Sequence, residues 1–418
     1  MFKKKYVILL LLFLFIILII GVVFFLFYKT NLNRLKTSGK SFPQPYQALP
    51  TPQCGANVFP PPDQSTLRDY AVKRGFIVGS IQNGGTPELL GKEFNFIAGG
   101  TYMKDIMPQA NTYDFSLLDK KIQLAQQYGM LNQSESLVYR DETTPDWLGF
   151  TNAQSGDKAG IRLEKKKSKN SSYTNSCGGW GDTPEKKQEL DNILKNFIQT
   201  TITHGGDKVY LWKLVNEPIK PDGSLKTDRC WYEVFGEDYI YKSFQYAQDA
   251  LSQNNLHALL MLNDTMGRDG VNRQKTDGFF NLVNRIKQRG LKLDAVGIEM
   301  HLEADKLTPA YQDDFRYYLE KAKQAGVQVM ISEMTVCLNG KSLEDQKQIY
   351  KNIVSTCLEY PFCTALNLWG ISDSAGAEQG KCTVTKPLLF DTNLQRKPAY
   401  YGVMEAISEN KTRCANVH

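Results

Sequence analysis

Short apolar runs alternate with amphipathic stretches along the chain from about residue 63 to its end. The runs are rich in β-branched and aromatic residues, as expected of strands that are buried on both faces. We predict eight strands on this basis: Phe76–Gln82, Phe94–Gly100, Leu131–Tyr139, Lys208–Glu217, His257–Asp264, Ala295–Leu302, Gln328–Met334 and Ala365–Asp373.

The stretches between these runs have helical periodicity. Thr183 followed by Pro184 is typical of a helix start, and Gly290 and Gly326 lie where a terminating glycine is common. The predicted helices are Asp114–Gly129, one that starts at Pro184, Tyr239–Leu251, Phe279–Ile286, Tyr311–Ala325, Gln346–Leu358 and Pro398–Ile407. Eight strands alternating with helices predict an α/β fold, a closed parallel (β/α)8 TIM barrel. No GxGxxG motif follows the first strand, which argues against a dinucleotide fold.

The N-terminal part of the chain has a different composition. Residues 1–5 form a short tail, and residues 6–28 carry no charge and are nearly all Leu, Ile, Phe or Val. That stretch is long enough to cross a bilayer as a helix and lacks a cleavage site, so we predict an uncleaved transmembrane anchor. Residues 29–62 are rich in Pro, Gln, Ser and Thr and predict an extended linker. The catalytic barrel is then residues 63–418.

Cysteine content bears on the compartment. All eight cysteines follow the anchor and none are spaced as CxxC, which favours disulfides in an oxidising compartment. We expect a single-pass membrane protein with its barrel outside the cytoplasm, although lysines flank both ends of the span and leave its orientation open. Cys54 with Cys414 is the expected disulfide, because the ends of a closed barrel lie close together.

Charge and histidine content exclude other classes of partner. The net charge is +6, and the lysine run at 165–167 and 169 has no interleaved aromatic residues, so no nucleic acid is expected. The chain has four histidines, too scattered for a multi-histidine metal site, and we predict neither a metal nor a cofactor.

Two glutamates end predicted strands that face each other across the barrel. Glu217 ends the fourth strand and Glu333 ends the seventh. Residues at the carboxyl ends of barrel strands face the catalytic mouth. Two carboxylates about 5–5.5 Å apart cleave a glycosidic bond with retention, through a covalent glycosyl-enzyme. We predict Glu217 as acid/base with a raised pKa, Glu333 as nucleophile with a low pKa, and Asn216 as a hydrogen-bond donor to the sugar.

Several segments of the chain resemble glycoside hydrolase family 10, the β-1,4-xylanases. The strand that ends at Glu217 is similar to that family's Trp-Asp-Val-Val-Asn-Glu, and the strand that ends at Glu333 is similar to its nucleophile strand. Other similar segments, in the family's order, are Met103-Lys104, Ala295–Leu302, Trp369–Asp373, Leu389–Asp391 and Lys397–Tyr400. The resemblance implies that His301 contacts the nucleophile and that Lys104 binds sugar. Trp369 lies at a strand end beside the two carboxylates, and we predict that it stacks on a sugar rather than packing in the core.

The departures from the family pattern bear on the substrate. Glu135, Tyr139 and Arg140 stand where the family has histidine, tryptophan and histidine, and Glu299 replaces its strand-six glutamine. Two residues beyond the nucleophile, where the family has an acid, this chain has Thr335. We take Glu299 as a support for the nucleophile, with a raised carboxylate pKa unless a cation such as Arg140 bonds to it. Glu135, Tyr139 and Arg140 are predicted to bind substrate, and altered partners imply altered specificity.

The sequence therefore predicts a retaining enzyme that cleaves internal β-1,4 bonds of a polysaccharide, xylanase-like, with a β-linked glycan and a lipid bilayer (through residues 6–28) as its partners. The glycan is expected to be a decorated xylan or another β-glycan rather than plain xylan. Three alternatives stay open: a glucanase or mannanase type, since Asn216-Glu217-Pro218 also resembles those enzymes, a transglycosylating enzyme, and a carbohydrate-binding barrel without activity.

Overall fold

Eight parallel strands close into one barrel in the order of the sequence, and Ile77 on the first strand pairs with Ala365 on the last. The strands of the computed structural model are β1 (Ile77–Ile81), β2 (Phe96–Ala98), β3 (Leu131–Ser134), β4 (Leu211–Asn216), β5 (Leu259–Thr265), β6 (Ala295–Glu303), β7 (Gln328–Cys337) and β8 (Cys363–Leu368). All eight predicted strands and the (β/α)8 architecture are confirmed, with strand ends displaced by a few residues.

Helices cover the outside of the barrel. They are α1 (Leu67–Arg74), α2 (Pro87–Glu93), α3 (Met103–Ile106), α4 (Ser116–Gln127), α5 (Pro184–Gly205), α6 (Cys230–Phe235), α7 (Asp238–Gln253), α8 (Arg273–Gln288), α9 (Tyr311–Ala325), α10 (Leu343–Leu358) and α11 (Pro398–Glu409). The seven predicted helices are present, and Thr183 caps α5 by accepting the backbone N–H of Lys186. The sequence did not predict α1, α2, α3 and α6, because four to eight residues are too few for a clear helical period.

Apolar side chains fill the barrel interior away from the mouth. Buried residues from seven of the eight strands and the residue before β4 form one cluster: Ile77, Phe96, Ala98, Tyr210, Leu211, Leu259, Met261, Ala295, Met330 and Ala365. Closer to the mouth than this apolar cluster, the register between β6 and β7 shifts at Ile298/Glu299, and Glu299 then pairs with Glu333. Such an irregularity re-aims side chains beside a site, and here it brings two carboxylates onto adjacent strands.

The structure describes residues 51–53, 59–99, 101–150, 177–377 and 386–412. The predicted anchor, most of the predicted linker, most of the insertion expected after the third strand (residues 149–182) and the expected Cys54–Cys414 pair lie outside these residues. Within them no helix is long and apolar enough to cross a membrane. Disulfides join Cys177 to Cys230 and Cys357 to Cys363, and no described cysteine is free.

Candidate active site

Glu217 and Glu333 lie where their strands reach the mouth of the barrel, and their residues are only 3% and 5% exposed. Glu217 directly follows β4 and has a positive φ of 48°, a conformation that non-glycine residues rarely adopt. Its backbone N–H donates to the carbonyl oxygen of Asn263 at 2.8 Å, which holds the turn in place. Backbone strain of this kind is found mostly at functional sites.

Four side chains point at the carboxylate of Glu217. Tyr139 Oη donates a hydrogen bond to Oε1 at 2.6 Å. Arg140 Nη2 and Lys226 Nζ lie 3.1 and 3.0 Å from Oε2, and Arg229 Nη2 lies 3.8 Å from it. We call Arg140, Lys226 and Arg229 the cationic cluster. The structure thus brings Tyr139 and Arg140, both predicted as site residues, to Glu217, and it adds Lys226 and Arg229, which the sequence analysis missed.

The cationic cluster sets the ionisation of Glu217. Burial alone would raise the pKa of this carboxyl, because a charged group is poorly solvated in the interior. The positive charges of Lys226 and Arg140, the hydrogen bond from Tyr139 and the charge of Arg229 outweigh burial and hold the pKa below its usual range. Glu217 is therefore a carboxylate with cationic partners rather than a protonated acid.

Glu333 is held at both of its oxygens. Lys213 Nζ donates to Oε1 at 2.7 Å, and His301 Nε2 lies 3.2 Å from Oε2. The other ring nitrogen of His301 lies 3.1 Å from the Thr335 hydroxyl, which fixes the ring plane. The contact between His301 and the predicted nucleophile, implied by the family resemblance, is present in the structure.

Burial raises the pKa of Glu333 to about 7; the charge of Lys213 opposes this rise, while those of Glu135 and Glu217 add to it. The predicted order of the two pKa values, with Glu217 above Glu333, is therefore wrong. The physical reason is that the divergent loops bring cations to Glu217, whereas Glu333 faces carboxylates and, among the described residues, one full cation at hydrogen-bond distance, Lys213.

Lys213 is the functional residue that the sequence reasoning missed most clearly. Its side chain is completely buried in the interior, and its Nζ lies 3.0 Å from Glu135 and 2.7 Å from Glu333. Glu135, predicted to bind substrate, is thus placed in a buried ion pair beneath the mouth. The family has Asp where this chain has Lys213 and His where it has Glu135, so the positive and negative members of the pair are exchanged here. A lysine within a buried apolar strand must find anionic partners, and that signal was present in the sequence.

Asn263 on β5 connects Asn216, Glu299 and Ser332 through hydrogen bonds. Its Nδ2 donates to Asn216 Oδ1 at 2.6 Å and to Glu299 Oε1 at 2.8 Å, while its Oδ1 accepts from Ser332 Oγ at 2.6 Å. A Cβ at position 297 would collide with Asn263 Oδ1, so glycine is required there. Asn216, predicted to bind substrate, is therefore oriented by this network.

Glu299 lies beside Glu333 without a cation of its own at hydrogen-bond distance among the described residues. Burial raises the pKa of Glu299 to about 8, with further contributions from the charges of Glu333 and Glu217, while Lys213 and His301 oppose the rise. The expectation of a raised pKa is met. Arg140, the cation suggested as its partner, bonds to Glu217 instead.

The two remaining predicted sugar contacts differ in position. Trp369 lies at the mouth, with its ring 6.3 Å from His301 in an edge-on arrangement and 5.6 Å from Lys213 Nζ. It is partly exposed, so part of the side chain can be reached by a ligand. Lys104 is exposed, and its Nζ donates to the backbone carbonyl of Glu142 at 3.0 Å rather than to a catalytic carboxylate.

One group in the described residues has the composition of a metal site. Ligand atoms of Glu299, His301 and Glu333 lie within 4.8 Å of one another. The Lys213 ammonium is 2.7 Å from Glu333 and already supplies positive charge there, and Asn263 occupies an oxygen of Glu299. The arrangement therefore fits a hydrogen-bonded carboxylate cluster better than a metal centre.

Comparison with known proteins places this site in a family. Residues 66–406 match the model of Glycosyl hydrolase family 10. The chain is 26% identical over 330 residues to endo-1,4-beta-xylanase B of Thermotoga neapolitana, covering 77% of this chain and 83% of that protein. Xylanase 10B of Thermotoga maritima superimposes with a TM-score of 0.66 at 26% identity, over 82% of this chain and 98% of that one.

A second solved structure, xylanase 10B of Thermotoga petrophila RKU-1 in complex with xylobiose, gives a TM-score of 0.67 at 26% identity, over 83% of this chain and 98% of that one. The family match spans the barrel and contains both Glu217 and Glu333. The resemblance noted from the sequence is confirmed: the chain belongs to glycosyl hydrolase family 10 and is a glycoside hydrolase.

Proposed function

We propose that the chain is a retaining endo-β-1,4-glycanase of the xylanase type, with Glu333 as nucleophile and Glu217 as acid/base. The observation that carries this proposal is the placement of both glutamates, buried directly after β4 and within β7, in a glycoside hydrolase barrel. A pair of carboxylates at one mouth is the minimum machinery for double displacement.

In the first step, an oxygen of Glu333 attacks the anomeric carbon while Glu217 protonates the departing glycosidic oxygen. Lys213 and His301 each hold one oxygen of Glu333, so the carboxylate is oriented before substrate arrives. Bond formation neutralises the carboxylate, and Lys213 then retains Glu135 as its anionic partner.

In the second step, Glu217 acts as a base on a water molecule, and that water displaces Glu333 from the sugar. The low pKa of Glu217 suits holding the carboxylate form that this step requires. The first step instead needs the proton on Glu217 while Glu333 is ionised. The two glutamates share a single proton. Because Glu333 has the higher pKa, that proton lies mostly on Glu333, and the reactive form with the proton on Glu217 is the less populated one.

Other residues are proposed to bind the sugar. Asn216 is held by Asn263 beside Glu217 and would contact the 2-hydroxyl, and Trp369 would stack on a sugar ring at the mouth. Tyr139 would position Glu217. Lys104 lies at the exposed rim, where it would reach a sugar further from the cleavage point.

A β-1,4-xylan backbone is the first substrate to test, because the relatives at 26% identity are named as xylanases. Glucan or mannan hydrolysis, transglycosylation and non-catalytic binding remain as the alternatives. The buried pairing of Lys213 with Glu333 speaks against the non-catalytic alternative, since such a pair is expensive to keep without a role.

The test is incubation of the full chain with β-1,4-linked xylo-, gluco- and manno-oligosaccharides, with products identified by mass and their anomers by NMR. We expect internal cleavage with the β-anomer formed first. An α-anomer as first product would overturn the covalent mechanism. Products longer than the substrate would identify transglycosylation, and an absence of any product would favour a binding protein.

We also propose that residues 6–28 anchor the enzyme in a membrane with the barrel on the extracytoplasmic side. The run of apolar residues without charge and the disulfides of the barrel support this location. Fractionation of cells that express the full chain tests it. The protein should stay with membranes after a carbonate wash and be digested by protease added outside, whereas a soluble protein would overturn the proposal.

A further inference from the structure

Three cationic side chains contact one buried carboxylate at the mouth of the barrel. Lys226 Nζ, Arg140 Nη2 and Arg229 Nη2 lie 3.0, 3.1 and 3.8 Å from Glu217 Oε2. Each comes from a loop at the carboxyl ends of the strands, where barrel enzymes bind their substrates. The excess of positive charge around a single acid is the feature to be explained.

The cationic cluster is built by ordered local structure. Lys226 lies at the base of a small hairpin after β4, where its N–H donates to the Pro218 carbonyl at 2.7 Å and Ile219 pairs with Leu225. The guanidinium groups of Arg140 and Arg229 lie 4.9 and 5.3 Å from the centre of the Tyr139 ring. The positions of the charges are therefore set before any ligand binds.

The cations are more accessible to solvent than the carboxylate they contact. The side chain of Glu217 is 4% exposed, whereas those of Lys226 and Arg140 are 20% and 34% exposed. A ligand at the mouth can therefore contact positive charge beside Glu217. Arginine recognises carboxylates through two parallel hydrogen bonds, which makes an anionic group the suitable ligand for this rim.

The catalytic cycle also favours an anionic ligand at the cationic cluster. When Glu217 carries the proton for the acid step, the anion that all three cations contact disappears. Leaving partly buried cations without that partner is unfavourable, and a negative charge on the substrate would replace it. A neutral sugar offers no such replacement.

We propose that the cationic cluster of Arg140, Lys226 and Arg229 binds a carboxylate of the substrate, so that the preferred glycan carries a uronate unit next to the bond that is cleaved. This inference rests on the proposed function and names its substrate class. The uronate can be a side group of the backbone or a unit of the backbone itself, and both present the same carboxylate chemistry.

Binding to the Glu333→Ala variant of the full chain tests the inference without turnover. The probes are a β-1,4-xylo-oligosaccharide with one glucuronate side group, its methyl ester, its carboxyl-reduced form and a β-1,4-oligoglucuronate. We expect the Kd for one of the two acids to be at least tenfold lower than for either neutral form. The acid that binds tighter identifies whether the charge sits on the side group or the backbone.

Lys226→Met in the same background should remove the preference for the acid, whereas Lys220→Met should retain it. Lys220 is a suitable control because it lies in the same hairpin and contacts the Thr227 hydroxyl at 3.5 Å rather than Glu217. Equal Kd values for acid and neutral probes would overturn the inference. Failure of the proposed function shows up separately, as absence of cleavage of every probe by the unmodified enzyme.

Discussion

The two halves of the mouth differ in how far they keep the family pattern. Around Glu333, His301 makes the contact that the family resemblance implied, and Thr335 orients the ring. Around Glu217, the residues that follow β3 and β4 are replaced, and the carboxylate is surrounded by Tyr139 and the cationic cluster. Around Glu333 the contact with His301 is kept, although Lys213, Glu299 and Thr335 beside it depart from the family pattern. The half that faces the leaving group has acquired three cations around its acid.

This difference teaches where specificity can change without loss of chemistry. The nucleophile must be oriented to within a fraction of an ångström, and here His301 holds one of its oxygens as the family resemblance implied, while Lys213 holds the other. The leaving-group side meets a variable part of the substrate, so its loops can exchange partners. The buried Lys213–Glu135 pair lies beside Glu333, and its charges have the opposite signs to those of the family pattern.

The largest effect is expected from Glu333→Ala. Without the nucleophile the covalent step is lost, and kcat should fall on the order of 10⁴-fold or more. Steady-state assays on a cleaved oligosaccharide measure this, with Glu344→Ala on α10 as control because its side chain is 71% exposed. A loss below about 100-fold would mean that Glu333 is not the nucleophile.

The next largest effect is expected from Lys213→Met. The substitution leaves the carboxylates of Glu135, Glu333 and Glu299 together in a buried site, and we expect the free energy of unfolding to drop by about 3–5 kcal/mol. Urea unfolding measures the drop. The double variant Lys213→Met/Glu135→Leu should recover part of it, because one uncompensated charge is gone. Equal stability of Lys213→Met and the unmodified protein would contradict the pairing.

The pH dependence of kcat/KM should report the pKa on the Glu333 side of the mouth. Catalysis needs one proton on the pair, and that proton is lost as the pH rises through the raised pKa of Glu333, about 7. We therefore expect kcat/KM to fall above about pH 7, by about tenfold per pH unit. Glu135→Gln removes a negative charge that raises this pKa, so the basic limb should move to lower pH. A limb that moves to higher pH or does not move would contradict the assignment.

The smallest effect is expected from Tyr139→Phe. This change removes the 2.6 Å hydrogen bond to Glu217 and keeps the ring on which two arginines pack. A hydrogen bond to a charged group contributes about 1.5–3 kcal/mol, so kcat/KM should fall by about 10- to 100-fold. Tyr113→Phe, at a half-buried position stacked on Phe115, is the control and should leave activity unchanged. An unchanged kcat/KM for Tyr139→Phe would mean that Glu217 is positioned by the cations alone.

Periodicity and motif order were sufficient to predict the barrel and its two glutamates. The eight strands alternate with helices along the chain, and Glu217 directly after β4 and Glu333 within β7 both lie toward the mouth that the carboxyl ends of the strands form. Sequence spacing did not predict the partners of Glu217, because Lys226 and Arg229 lie in a loop whose fold depends on tertiary contacts. The pKa order was wrong for the same reason: charges from distant segments decide it.

Lys213 illustrates a signal that was present and not used. A charged residue within an apolar strand predicts a buried partner, and Glu135 on the neighbouring strand had the matching sign. Short helices such as α1 and α6 could not be predicted, since their lengths of eight and six residues cover little more than two turns and less than two turns. The strands and long helices of the barrel can thus be predicted from the sequence more readily than the charge contacts between its loops.

Trapping the glycosyl-enzyme tests the central claim most directly. The full chain is incubated with a 2-deoxy-2-fluoro β-glycoside of the sugar it cleaves, which slows the second step, and the labelled peptide is sequenced by mass spectrometry. We predict one label per chain, on Glu333, and none in the Glu333→Ala variant. A label on Glu217, or turnover of the natural substrate with no trapped intermediate, would contradict it.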